Sequence, residues 1–268
     1  YKNIDGVHFL RLKGNYLERT RQHAKVLSKQ IRKGALIDLA KKNEWLLRRA
    51  GGLLNFKPIQ NFVVFLYHKI VLGILKKSLR VKDKEFLYII AEETGLSYDV
   101  VFKAFYQADG LMLLSRTSIM KYLFGELPAR DLPGCSSGIV AGGWTKDGEV
   151  LVCRNQDYPI VGPWEPNTTV LFHEPTEKDQ IPHVAITSAG LHTAGLTSMN
   201  AEGLTLAAHA HFGRKISFRG NPIFVIGNEI ISKARNLSDA VNIASSFKRH
   251  ANWTLVVSSA KEKKAVAI

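Results

Sequence analysis

The chain has 268 residues, 46% of them hydrophobic, enough to bury a sizeable core as one large domain or two intimate ones. Its net charge of +14 is placed unevenly: residues 1–134 carry 24 Lys and Arg against 12 Asp and Glu, whereas residues 135–268 carry 13 against 11. With no run of about 18 uninterrupted apolar residues and only two cysteines, the sequence indicates neither an ordinary membrane-spanning helix nor a disulfide framework.

In chain order, residues 8–13 alternate as a short strand before Gly14. Asn15 and Glu18 form a capping-box pattern that opens a long basic helix, ended by Gly51-Gly52. Residues 60–79 and 82–93 predict two more helices, Ser97 caps a fourth running to about residue 111, and a shorter one covers 116–124. The stretch 62–77 is apolar nearly all round with lysines in its middle and at its end. It reads as a core helix, or alternatively as an interfacial helix resting on lipid or covering an acyl-chain groove.

From Cys135 the hydrophobic period switches to two. Residues 137–142 and 150–157 flank the Asp147-Gly148 hairpin signal, and further strands are expected at 168–173, 183–188, 192–197 and 204–211, with a turn at 200–203. Asn221 as cap and Pro222 as first residue predict a helix to about residue 234, and Ser238 another to about 247. Strands follow at 252–257 and from 265. Helices first, then strands, helices and strands, predict a layered α+β fold rather than alternating βαβ units.

Cys135 stands in Gly134-Cys135-Ser136-Ser137, at the start of a strand, with Arg154-Asn155-Gln156-Asp157 on the strand that would return from the hairpin. A lone cysteine is ordinarily a small buried hydrophobe. A cysteine that opens a strand can instead be freed as a new N-terminus, its thiol the nucleophile and its own α-amino group the base. Arg154 and Asp157 are three residues apart, so a regular strand does not place both on one face. A cross-hairpin Cys135–Cys153 disulfide would silence such a nucleophile. No cysteine–histidine spacing suggests zinc, and no cofactor is expected.

Five segments together resemble the isopenicillin-N acyltransferase-like branch of the N-terminal-nucleophile (Ntn) hydrolases, related to bile-salt hydrolase and acid ceramidase. They are Leu12-Lys13-Gly14-Asn15-Tyr16-Leu17-Glu18 with Gln22 and Lys29-Gln30-Ile31; Gly134-Cys135-Ser136-Ser137; Arg154-Asn155-Gln156-Asp157-Tyr158; the turn from Gly195 to Leu204; and Ala251-Asn252-Trp253-Thr254-Leu255. The resemblance implies a four-layer αββα sandwich made as a precursor. Cleavage at Gly134-Cys135 would yield a mainly helical α chain, 1–134, and a β chain, 135–268. Family members continue well past the Asn-led strand, so the β chain is expected to be incomplete.

The same resemblance implies the chemistry. Cys135 would cut its own bond to Gly134, then attack a linear amide to form a thioester resolved by water or an amine. The new α-amino group, near pKa 7.7–8 in reference peptides, would serve as base. Asp157 would orient it, Arg154 would face the thiolate or a substrate anion, and Asn252 would donate to the oxyanion. His192, His209 and His211 are candidates for the substrate pocket. The partners expected are a small amide substrate and an anionic membrane surface, with no nucleic acid.

A second reading is a catalytically silent basic protein that docks on anionic lipid or another polyanion. A papain-like peptidase fits less well, because its nucleophile begins a helix. The sequons at Asn167, Asn236 and Asn252 support export only weakly, and leave secreted, periplasmic or lysosome-like compartments open.

Overall fold

A computed structural model describes residues 1–49, 56–116, 134–157, 165–210 and 217–268. β1 (Lys2–Ile4) and β2 (Val7–Gly14) lead into α1 (Tyr16–Val26). The capping box is present: Asn15 Oδ1 accepts from the Glu18 N–H at 3.0 Å, and Glu18 Oε2 accepts from the Asn15 N–H at 2.8 Å. Gly14 has φ of +123°, and a Cβ there would run into the Glu18 carboxylate.

The single long helix expected next is three: α1, α2 (Ser28–Lys33) and α3 (Ala35–Arg49), broken at Leu27 and at Gly34. Gly34 is extended, and its place is tight, since a Cβ would sit 2.7 Å from the Gln30 carbonyl. α4 (Lys57–Leu66), a π-turn (Tyr67–Val71) and α5 (Leu72–Ser78) then form one helical stretch. α6 (Val81–Thr94) ends at left-handed Gly95, and Ser97 caps α7 (Tyr98–Phe105) by accepting from the Val100 N–H. That helix ends at Phe105, about six residues early, and after Tyr106 α8 (Gln107–Arg116) begins. The helix expected at 116–124 falls, past Arg116, outside the described residues.

β3 (Gly134–Val140) and β4 (Leu151–Asp157) pair antiparallel as a two-stranded sheet. The other strands are β5 (Thr168–Pro175), β6 (His183–Ser188), β7 (Thr197–Asn200), β8 (Leu204–Ala210), β9 (Trp253–Ser259) and β10 (Lys264–Ala267). They join β1 and β2 in an eight-stranded sheet ordered β1-β2-β5-β6-β7-β8-β9-β10, antiparallel except for the β2–β5 pair. The fold is therefore mixed α+β with a mostly antiparallel sheet.

Three expectations are corrected. Residues 192–197 are not a strand: the chain crosses beneath the sheet from Ala189 to Leu196, almost wholly buried, and pairs only from Thr197. Gly190 (φ +92°) and Gly195 permit this, the latter with space for no side chain, as a Cβ would meet the Phe224 carbonyl at 2.5 Å. Pro222, not Asn221, is the cap of the helix Ile223–Lys233, because Asn221 instead bonds across to Lys248 and His250. Asn236, not Ser238, caps the helix Leu237–Ser246 by accepting from Asp239 N–H.

The alternation of the strands divides the large sheet into two faces. Leu12, Leu171, Ala185, Leu204, Leu206 and Leu255 are buried with the helices in one core. On this face Asn200 Nδ2 donates to the carbonyls of Ile231 and Ala234, fastening the helix Ile223–Lys233 to the sheet. The opposite face carries Thr197 and His209, and these meet the β3–β4 hairpin.

Candidate active site

Cys135 is the second residue of β3, half-buried and unoxidised, as is the exposed Cys153, so no Cys135–Cys153 disulfide forms. The hairpin register sets Gln156 opposite Cys135, Arg154 opposite Ser137, and Asp157 opposite Gly134. Arg154 thus lies on the Cys135 face, diagonally offset. Its Nη2 is 3.5 Å from Cys135 Sγ and donates to the Ala208 carbonyl at 2.5 Å. Its Nη1 donates to Thr197 Oγ1 and to Gln156 Oε1, the latter at 3.2 Å. The guanidinium ties hairpin to sheet while presenting one charged edge to sulfur.

His209 forms the second tie. Its Nδ1 lies 3.3 Å from the Cys135 carbonyl and its Nε2 3.0 Å from Ser137 Oγ. A carbonyl only accepts, so Nδ1 carries the proton and Nε2 accepts from the Ser137 hydroxyl. Partial burial holds this histidine below its ordinary 6.5, which favours the neutral ring that this pairing needs.

Cys135, Arg154 and Gln156 line a small apolar cleft with Leu191, Leu196, Phe224 and Trp253. Asn252 stands immediately before β9, next to Trp253. Trp253 is itself fixed from below: its Nε1 donates to Asp109 Oδ1 at 3.1 Å, while Asp109 Oδ2 accepts from the Ile223 N–H at 3.2 Å. Asp109 is fully buried, with no ion pair among the described residues, and burial pushes its carboxyl up to about 7. Sequence reading missed Thr197, Gln156 and Asp109. Only the burial of α8 distinguishes Asp109 from an ordinary helix carboxylate.

His192 is not in this cleft, and His211 lies outside the described residues. His192 instead joins His23, His173 and His183 in a fully buried cluster beside Arg19. Gly190 N–H donates to His23 Nε2 at 3.2 Å, so His23 carries its proton on Nδ1 and gives it to His192 Nδ1 at 3.1 Å. His183 Nδ1 donates to the Ile181 carbonyl. Burial drives His23 down to about 3 and His183 to about 4, and puts His173 and His192 well below the ordinary value. These are neutral packing groups held by desolvation. No group of metal-ligating side chains occurs among the described residues.

Residues 144–268, just under half of the chain, match the family model described as acyl-coenzyme A:6-aminopenicillanic acid acyl-transferase. No curated protein matches the chain significantly. The matched span takes in Arg154, Thr197, His209 and Trp253, the framework against which Cys135 rests. Over that span the chain is similar to the isopenicillin-N acyltransferase family of the Ntn hydrolase superfamily.

Proposed function

We propose that Cys135 is the nucleophile of a self-processing Ntn amidohydrolase or acyltransferase that acts on linear amides. The family is enzymatic, of acyltransferase or Ntn-hydrolase type. The observation that carries the finer reading is the Arg154 guanidinium 3.5 Å from Cys135 Sγ at the head of a strand. A thiolate formed there meets a positive charge already fixed by Ala208, Thr197 and Gln156.

In the processing step Cys135 Sγ attacks the Gly134 carbonyl carbon, and the Gly134–Cys135 C–N bond breaks as the amine takes a proton. Water then hydrolyses the resulting thioester, leaving a Gly134 carboxylate and a free α-amino group on Cys135. In turnover that amino group accepts the thiol proton, sulfur attacks the substrate carbonyl, and the proton passes to the departing amine. Water or a second amine resolves the thioester. Asp157, whose backbone pairs with Gly134, is assigned to orient the amino group, and Asn252 to donate to the oxyanion. Residues 1–134 and 135–268 then become α and β chains, and the β3–β4 hairpin supplies the start of the second sheet of an αββα sandwich.

The test is intact mass under denaturing conditions, wild type beside Cys135→Ala. Two pieces, each about half of 29.9 kDa, with the second beginning at Cys135 and an intact variant, support the reading. A wild type that stays whole, with no preference of a thiol reagent for Cys135 over Cys153, overturns it.

A further inference from the structure

The helical stretch Lys57–Ser78 is long and apolar enough to cross a bilayer by length and composition. Its inner face is already committed to the protein. Val63, Val64, Tyr67, Leu72 and Leu75 belong to the buried core, and the Tyr67 hydroxyl accepts from Asn43 Nδ2 at 2.8 Å. Spanning would expose that core and break this bond, so the stretch is no membrane-crossing helix.

The outer face lacks such commitments. Phe62, Phe65 and Ile70 are 59%, 53% and 51% exposed, spaced i, i+3 and i+8 along one side, with exposed Phe56 at the entry. Single exposed apolar residues are common, but an aligned apolar row on one helix marks an interaction surface. Lys57, Lys69 and Lys77 are exposed along the same stretch, with no ion pair among the described residues, whereas Lys76 is paired with Asp99. From Trp45 to Lys82 the sequence carries eight Lys and Arg and no Asp or Glu.

An anionic phospholipid surface answers both features, with acyl chains for the phenyl rings and phosphates for the lysines. A second copy does not: a two-fold contact through this face would set its lysines against the same lysines. We propose that the face bearing Phe62, Phe65 and Ile70, with Lys69 beside them and Lys57 at the start of the helix, rests on an anionic phospholipid bilayer, the helix axis parallel to the membrane. The proposal is independent of whether Cys135 is active.

The experiment is sedimentation of the full chain with phosphatidylcholine vesicles, pure or with about one-third phosphatidylserine. Wild type is expected to bind the mixed vesicles and to bind pure phosphatidylcholine far more weakly. The double variant Phe62→Ser with Phe65→Ser should lose at least about ten-fold in binding. Lys57→Gln and Lys69→Gln should each lose about five-fold. All four side chains are exposed, so an unchanged thermal midpoint verifies that the variants fold. Binding that survives intact in the double Phe variant overturns the proposal. So does failure of wild type to bind mixed vesicles, including a result in which it forms a concentration-dependent dimer that the Phe variants abolish.

Discussion

Lowering the pH from 7 to 5 should destabilise this protein by roughly 6 kcal/mol, through the histidine cluster. His23, His173, His183 and His192 are buried and neutral, each with its pKa depressed from 6.5 by burial, and Arg19 adds its charge against His173, His183 and His192. Glu177 offers a counter-charge, 3.7 Å from Arg19 Nη2. Because the unfolded chain binds protons at these positions and the folded chain does not, stability is complete above 6.5 and falls as the pH drops toward the folded values. Between pH 7 and pH 5 each histidine costs about 2 kcal/mol, so four cost about 8.

Asp109 opposes this, since its carboxyl is raised to about 7 in the folded protein and binds a proton that the unfolded chain lacks. Over the same interval it contributes about 2 kcal/mol in favour of folding. The histidines win, and a net loss of about 6 kcal/mol is a large share of a typical stability of about 5–15 kcal/mol. Urea denaturation at the two pH values measures it. His173→Phe isolates the mechanism: neither ring nitrogen of His173 has a hydrogen-bond partner among the described residues, so the substitution removes a titrating group at little structural cost. The pH-dependent loss should shrink by about 2 kcal/mol in that variant. Stability that is equal or higher at pH 5, or a His173→Phe variant with the wild-type loss, refutes the reasoning.

Two further outcomes follow from the site. Arg154→Met should slow selective alkylation of Cys135 by about ten- to hundred-fold, the equivalent of about 1.5–3 kcal/mol for a charge-assisted contact, with Arg154→Lys intermediate; an unchanged rate by mass spectrometry removes Arg154 from the chemistry. Asp109→Ala should destabilise by about 2–5 kcal/mol, because it leaves Trp253 Nε1–H and the Ile223 N–H buried without an acceptor, whereas Asp109→Asn should cost less; equal urea midpoints for Asp109→Ala and wild type contradict this.

How much of this was legible in the sequence depended on whether the signal was local. The capping box at Asn15, the Asp-Gly hairpin and the strand at 183–188 are written in adjacent residues, and the structure has them. The break at Gly34 and the buried crossing at 189–196 were misread, because helical period and alternation persist through them. What interrupts them is steric: no side chain fits at Gly34 beside Gln30, or at Gly195 against Phe224. The site divides the same way. The hairpin brings Cys135 and Arg154 together, but Thr197, Ala208 and His209 meet them from strands more than forty residues away. His192 lies outside the Cys135 cleft and lines a separate pocket with Tyr16, Phe86 and Phe224, and nothing near it in sequence discloses its partner His23, 169 residues off.

The placement of Asp109 explains why the helical half and the strand half act as one body. Residues 1–134 are not a detachable leader: β2 is the parallel neighbour of β5 within the large sheet, and Leu39, Ala104 and Ala108 help to line the cleft that holds Cys135. Asp109, from the helical half, receives one hydrogen bond from Trp253 in that cleft and another from the first turn of the helix Ile223–Lys233. A cut between Gly134 and Cys135 would therefore leave both pieces bound through a shared core, with part of the cleft's lining supplied by one and Cys135 by the other. Native size cannot report processing in such a protein, whereas denaturing mass does. The same interlocking ties cleft geometry to the stability of the helical half, so that loss of the buried Asp109 contacts should loosen Trp253, a wall of the cleft, before it unfolds the chain.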